Sequence, residues 1–409
     1  MKTVAIIGAL DTKGRENQYL REQIEKKGVH TILIDVGIMG EPAVMPDITA
    51  QEVAQAAGTT LDKMRQSGNR SECLNAMGNG AGKILQALLK EGKLDGVIAI
   101  GGGQGTLMGA SAMRVLPIGF PKLLLSTIAL LKDSHAPFQG IKDTMVMNSQ
   151  VDVSGVNSLM RLMLRKSASA LCGMVNDDLF KEDVKSRLCI GMTMFGVTTP
   201  CVTKVREILE ERGYEVLVFH ATGAGGPMME NLIREGKIHG VADVTLAEIA
   251  HQIVGGSGSG GEDRLLAAGI EGIPQVIVPG ALDCINFMPP NSMPEKFSDR
   301  RSHMHNENLK VIRTSIEENV IFGEVIAGKL NQAKGETKVL LPIYGLSAND
   351  DPRGGDFWDE KADDALFMSL EKNLRSDIEC RREKFHINDD AFAEKLAEEL
   401  DGMMKRKYS

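Results

Sequence analysis

At 409 residues, with 43% hydrophobic and 25% charged residues, the chain is long enough for two domains with ample cores and has an ordinary globular composition. A net charge of −8, scattered basic residues and 4% aromatics argue against nucleic acid and anionic membrane as partners. Six cysteines without a CxxC pair read as reduced thiols, and no apolar run reaches the roughly 20 residues of a spanning helix, so a cytoplasmic protein is expected.

Strand and helix patterns alternate along the chain, which predicts an α/β class with parallel sheets flanked by helices. A first strand at 3–8 runs into the turn GALDTKG, with a helix over 15–27 and a strand over 31–36 behind it. The turn leaves the carboxyl end of its strand, where open sheets bind ligands. Thr12 suits phosphate oxygens, Lys13 suits phosphate charge, and Asp11 suits Mg²⁺ or a ribose hydroxyl. The plain alternative is an Asp/Thr helix cap beside a solvated lysine. Helical patterns follow over 50–66 and 72–91, the second interrupted by Gly78, Gly80 and Gly82. Each glycine costs a helix about 1 kcal/mol relative to alanine. Either the helix starts near Gly82, or another group approaches the backbone closely, a phosphate or a second helix.

The stretch DGVIAIGGGQGT is the most telling. A buried strand over 96–100 ends in Gly101, Gly102 and Gly103; Gln104, Gly105 and Thr106 then lead into a helix over 107–115. Glycines there let backbone N–H groups approach an anion, and the helix dipole favours negative charge. The expectation is a phosphate-bearing ligand. A strand over 122–126 and an amphipathic helix over 157–175 complete the first half.

The second half repeats the first. VAIIGALDTKGRENQYLREQIEKKGVHTILIDVG is matched by LCIGMTMFGVTTPCVTKVREILEERGYEVLVFHATG, and LKEGKLDGVIAI by IREGKIHGVADV. Two Rossmann-like subdomains are expected, 1–183 and 184–409, with a ligand cleft between them, an insertion near 40–75 in the first, and C-terminal helices able to pack back on it. In the second half the loop GGSGSGG offers Gly256, Gly260 and Gly261, followed by Arg264, as substrate contacts; a flexible linker is the alternative. His220 ends a strand near the same ligand edge. The proline-rich stretch after residue 278 reads as long and irregular, hence functional. Within and around it Arg301, His305 and Arg313 are candidate anion or acid/base groups, and Asp283 is a candidate loop carboxylate. His303 and His305 could share a metal, but no third ligand is identifiable by spacing. A helix over 317–332, a strand over 338–343, an Asp/Gly-rich loop over 345–359 and helices over 363–374 and 391–405 close the chain.

The strings GALDTKG, DGVIAIGGGQGT, VFHATGAGGPMMENLI, GVADVTLAEIAHQIVGGSGSGGEDRLLAAG, VPGALDCINF and FHINDDAFA together form a pattern. It resembles the uncharacterised bacterial proteins that share the ATP-binding N-terminal domain of the tomato mosaic virus resistance protein, and the likeness runs from Val4 to about Ala397. The resemblance implies two Rossmann-like subdomains, Mg-ATP as cofactor and a homodimer. The expected function is nucleotide binding, extended to an ATP-dependent enzyme acting on a small anionic substrate. An epimerase- or glycosyltransferase-like enzyme using a sugar nucleotide, and a non-catalytic nucleotide-gated binding module, are the competing readings.

Overall fold

The computed structural model describes residues 1–130, 140, 142–177 and 187–409. The chain divides into two compact units, Met1–Asp183 and Val184–Ser409, and the boundary itself lies outside the described residues.

In the first unit the strands are β1 (Thr3–Gly8), β2 (His30–Asp35), β3 (Gly96–Gly101), β4 (Lys122–Ser126) and β5 (Met145–Asn148). They form one parallel sheet in the order β2-β1-β3-β4-β5, the flavodoxin-like winding of open α/β sheets. Period-two alternation sends successive side chains to opposite faces. Ala5 and Ile7 join the core under α2 (Ala50–Ala56), α3 (Leu61–Ser67), α4 (Arg70–Lys90) and α5 (Gly103–Arg114). Val4 and Ile6 join the core under α1 (Leu10–Glu25) and α6 (Ser158–Asn176). Caps hold the helix starts: Thr49 and Glu52 form a capping box, and Asn69 and Asn157 cap α4 and α6. The glycines of α4 do not break it. Gly78 and Gly82 pack against α5 at Ser111 and Ala112, and Gly80 abuts the Val53 carbonyl. Helix packing, not a phosphate, is their reason.

The second unit repeats this winding with one more strand. β6 (Cys189–Met194), β7 (Glu215–His220), β8 (Gly240–Thr245), β9 (Gln275–Gly280), β13 (Thr337–Pro342) and β14 (Glu379–Glu383) make a parallel sheet ordered β14-β13-β9-β8-β6-β7. Helices α7 (Thr199–Glu211) and α13 (Asp390–Tyr408) cover one face, and α9 (Ala247–Val254), α11 (Ile316–Leu330) and α12 (Glu360–Asn373) the other; α8 (Gly225–Arg234) joins β7 to β8, and the short α10 (Ala267–Glu271) precedes β9. The duplication reaches individual bonds. Lys93 N bonds Leu88 O at 2.9 Å, and Lys237 N bonds Leu232 O at 3.0 Å. Gly92 and Gly236 share a φ of 68°. Asp95 N reaches Thr3 O, and His239 N reaches Cys189 O, both at 2.8 Å. Between β2 and β3 the first unit has α2, α3 and α4 where the second has α8 alone, so the inserted material sits where the unequal spacing implied.

The proline-rich stretch is more ordered than its composition implied. β10 (Cys284–Phe287), β11 (Ser302–Asn306) and β12 (Leu309–Arg313) form a small antiparallel sheet, ordered β10-β12-β11, between β9 and α11.

Candidate functional site

In the order β2-β1-β3, chain direction reverses across the sheet between β1 and β3, and the crevice at their carboxyl ends is the natural ligand position. Both glycine turns of the first unit meet there. A chamber of about 390 Å³ is lined by Ala9, Thr12, Lys13, Gly101, Gly102, Gly103, Gln104, Gly105, Met108 and Asp152. Beside it lies a chamber of about 480 Å³ that shares Ala9, Thr12, Gln104 and Met108. Its remaining wall is Val36, Gly37, Ile38, Met39, Met64, Gly68, Cys73 and Leu74, with Asp11, Arg65, Asn69 and Arg70 as its polar and charged members. Much of that wall belongs to the inserted helices, so the material absent from the second unit is what encloses the crevice. Each volume falls in the range of small-molecule sites.

The glycines of the turn divide into two sets. A Cβ on Gly101 would lie 2.6 Å from Gly105 Cα, one on Gly105 3.1 Å from Ile100 O, and one on Gly109 2.5 Å from Ala99 Cβ. Those three are small so that α5 can lie on β3. Gly103 has no atom within 4 Å of a would-be Cβ, Gly102 has one at 3.8 Å, and neither has positive φ. No side chain caps α5. Thr106 N is the first amide to find a helical acceptor, Gly102 O at 2.9 Å, and the N–H groups of Gly103, Gln104 and Gly105 have no acceptor among the described residues. Unsatisfied amides at a helix start carry the positive end of the dipole.

The first turn is a single helical turn followed by a break. Helix α1 begins at Leu10, five residues before the predicted start, and Lys13 sits at φ −125°, ψ 23° inside it. The Lys13 ammonium makes no hydrogen bond or ion pair among the described residues, and Thr12 is exposed. Asp35, at the end of β2, accepts from Leu10 N at 3.0 Å and Gly37 N at 2.8 Å, which ties the turns after β1 and β2 together. Burial raises its pKa above the ordinary carboxylate value.

Asp11 Oδ2 accepts from Met39 N at 3.3 Å and Gly40 N at 3.2 Å, so half of this carboxylate is committed to the loop after β2. Asp152, which the sequence reading did not single out, lines the glycine chamber itself. Among the described residues no group of three or more His, Cys, Asp or Glu could hold a metal. Asp11 lines the larger chamber and Asp152 the glycine chamber. Thr106 lies outside the chamber: it is 0% exposed, and its hydroxyl pairs with Ser126 Oγ at 2.7 Å.

Of the residues expected to hold a substrate in the second unit, Gly260, Gly261 and Arg264 line one hollow of about 440 Å³ with Glu230, Asn231 and Arg234, and several of them also have tasks inside the fold. Arg264 is 1% exposed. Its guanidinium makes two bonds to Asp243, at 2.5 and 2.7 Å, and one to Glu248 at 2.8 Å. With a further bond to Thr245 O at 3.4 Å, most of its donors are spent inside the fold. Gly256 packs on His251 and Ile285, and Gly260 on Glu248 and Arg264, so their smallness has an internal cause. Gly261 takes φ +77°, which favours glycine at that bend. His220 is exposed, its ring 5.6 Å from that of Phe195. At the second unit's own switch point Leu246 and Ala247 are 0% exposed, and Thr198 pairs with Thr245 at 2.8 Å.

The four candidate acid/base groups do not converge. His305 is exposed on β11. Arg301 bonds Asp359 at 2.7 Å and Trp358 O at 3.0 Å. Arg313 and Asp283 do meet, in the interior beyond the carboxyl ends of β9 and β12, with Asp350 and Asp363 beside them. A cavity of about 710 Å³ adjoins that cluster through Asp363.

Two family models match the chain: the N-terminal domain of the uncharacterised protein family UPF0261 over residues 2–179, and its C-terminal domain over 187–404. A UPF0261 protein of Clostridium tetani is 42% identical over 406 residues, which cover 99% of this chain and 100% of the relative. The ToMV resistance protein Tm-1(GCR237) of Solanum lycopersicum is 41% identical over 326 residues, 77% of this chain and 43% of the plant protein. Among solved structures, a UDP-GlcNAc 2-epimerase of Methanocaldococcus jannaschii in complex with UDP-GlcNAc and UDP aligns at 11% identity and a TM-score of 0.25, covering 91% of this chain and 100% of that one. Overlap that slight bears on neither fold nor ligand. No helix among the described residues is long and apolar enough to cross a membrane.

Proposed function

The chain belongs to the uncharacterised protein family UPF0261, and on that footing we propose that its first unit binds a phosphate-bearing nucleotide, with Mg-ATP as first candidate, in the two chambers at the β1/β3 switch point. One observation carries the reading. Gly102 and Gly103 are glycines that nothing inside the chain requires, and they stand beside three amides without acceptors. A ligand that must come within hydrogen-bonding distance of the backbone accounts for both. In this reading Lys13 neutralises phosphate charge, Mg²⁺ arrives with the phosphates and is met by Asp152 and the free side of Asp11, and the apolar chamber around Met64 and Leu74 takes the base. The homodimer implied by the resemblance, and an ATP-dependent reaction on a small anionic substrate, are extensions of the same proposal.

The test is thermal unfolding of the full chain against ATP, ADP, GTP, NAD, UDP-sugars and inorganic tripolyphosphate, with and without Mg²⁺. A ligand at a hundred times its Kd adds about 2.7 kcal/mol of stability, a plain shift in Tm. Protection by Mg-ATP above the rest is the expected result. Protection by a sugar nucleotide alone would transfer the site to the epimerase-like reading, and no protection by any phosphate compound would remove the proposal.

A further inference from the structure

Apart from the group around Arg264, the second unit gathers at one place more buried carboxyl groups than it can neutralise. Asp283 follows β9, Asp350 sits in the loop 343–359 after β13, and Asp363 is in the first turn of α12; they are 0%, 0% and 2% exposed. The cation among them is Arg313 at the end of β12, 3% exposed. It gives one bond to Asp363 at 2.7 Å, stands 3.9 Å from Asp350, and spends its other donors on Thr314 and the carbonyls of Asp283 and Phe357. Ser347 donates to Asp283 at 2.8 Å, and Leu346 N to Asp350 at 2.9 Å. Around them, His386 bonds the Ser347 carbonyl at 2.9 Å, and the buried Cys284 thiol is pushed well up by its own burial and by Asp283. That leaves Asp283 Oδ1, Asp350 Oδ1 and Asp363 Oδ2 without any donor. Arg313 Nη2 stands 3.9 Å from Asp350 and 2.7 Å from Asp363, so the two carboxyls share one cation. Two carboxylates cannot satisfy one another; a carboxyl and a carboxylate can.

We propose that this cluster is a proton-held latch: protons on the carboxyls seat the loop 343–359, and their loss releases it and opens the 710 Å³ cavity that the loop helps to line. The loop carries Asp350 and Ser347. Its two ends are anchored: Leu346 and Phe357 are buried, Leu346 O accepts from Ala281 N at 2.9 Å, and Phe357 O accepts from Arg313 Nε at 2.7 Å, while Pro352, Arg353 and Gly354 between them are exposed and form the stretch that the latch releases. Tyr344, Pro352, Arg353 and Trp358 of the same loop form one wall of the cavity.

Burial first, then repulsion from a neighbouring carboxylate (Asp350 on Asp283, Asp363 on Asp350, Asp283 on Asp363), raises the three groups to about 7, 8 and 6 in the order Asp283, Asp350, Asp363. Their ordinary value is 3.8. A carboxyl raised in the seated state binds its proton there and not in the released state. The seated state is therefore fully favoured below the ordinary value, and its advantage drains as pH climbs to about 8. Each proton held by the seated loop alone changes the seated-to-released ratio tenfold per pH unit.

The chain contains one tryptophan, and Trp358 lies in the loop. Iodide quenching of Trp358 in the full chain between pH 6 and 9, read beside far-UV circular dichroism, follows the latch directly. The expected result is a several-fold rise in quenching across pH 7–8 with unchanged circular dichroism. In Asp350→Asn, whose amide does not titrate, the rise is flattened; Asp363→Asn serves as second variant should the first fold poorly. A quenching constant that stays level in the unaltered protein, a variant that follows its curve, or loss of the whole fold over the same range would each overturn the latch.

Discussion

Gly103 separates a ligand's demand from the fold's. A methyl group there meets open space, and alanine at the first position of a helix lowers the entropy of the unfolded chain, so Gly103→Ala should leave the unliganded protein as stable or add about 0.4–1 kcal/mol. The same methyl would stand where phosphate must approach, and Mg-ATP affinity should fall at least tenfold. Calorimetric titration beside a melting curve reads both signs; affinity unchanged in Gly103→Ala would return the turn to plain packing. Lys13→Ala should weaken Mg-ATP without lowering Tm, since its ammonium holds nothing in the protein. Arg264 behaves in the opposite way. Removing a buried cation from between Asp243 and Glu248 strands two carboxylates, and Arg264→Met should cost about 3–5 kcal/mol in urea unfolding. At this scale the sequence was half legible. The glycine turn and Lys13 could be read because strand, turn and helix grammar is local. That Arg264 is spent and that Thr106 is buried depend on partners about 20 residues away, which no spacing reveals.

Among the elements, those with a strong apolar period were legible and those without one were not. Helices α6, α11 and α13 lie within a few residues of their predicted bounds, because each presents a regular buried stripe. β14 reads ECRRE and β11 reads SHMHN, edge strands rich in charged or polar side chains; β11 is largely exposed and β14 partly so. Edge strands carry such residues to discourage pairing with other chains, and that same chemistry conceals them from a hydrophobicity reading. The glycine loop after α9 is held from beneath by His251, 2% exposed, whose Nε2 accepts from Asn286 N at 3.0 Å. Burial lowers His251 to about 4 from 6.5. The unfolded chain therefore takes up a proton that the folded one refuses, and stability is intact above pH 6.5 and lost as pH falls towards 4, at about 1.4 kcal/mol per unit. In urea unfolding across pH 4–7, His251→Gln should show a shallower acid slope than the unaltered protein. Parallel slopes would show that His251 does not titrate between the two states.

For the molecule as a whole, duplication explains the fold, and asymmetry between the copies underlies the proposed function. Both units wind alike and reproduce each other's bonds at the EGK turn, so each inherits a crevice between its first and third strands. In the first unit that crevice is floored by glycine and walled by inserted helices. In the second, Leu246 and Ala247 at the corresponding place are buried, and Thr198 pairs with Thr245. Hydrogen–deuterium exchange of the full chain with saturating Mg-ATP tests that division. Protection should appear over 9–13, 36–40, 64–74 and 101–108, and the corresponding turns of the second unit, 195–199 and 245–251, should exchange as they do without ligand. Raising the pH from 6 to 8 should do the reverse, speeding exchange over 343–359 and leaving the nucleotide turns unchanged. Protection by Mg-ATP at 245–251 would mean that the second crevice also binds, and the functional asymmetry between the two copies would have to be given up even with the nucleotide reading intact.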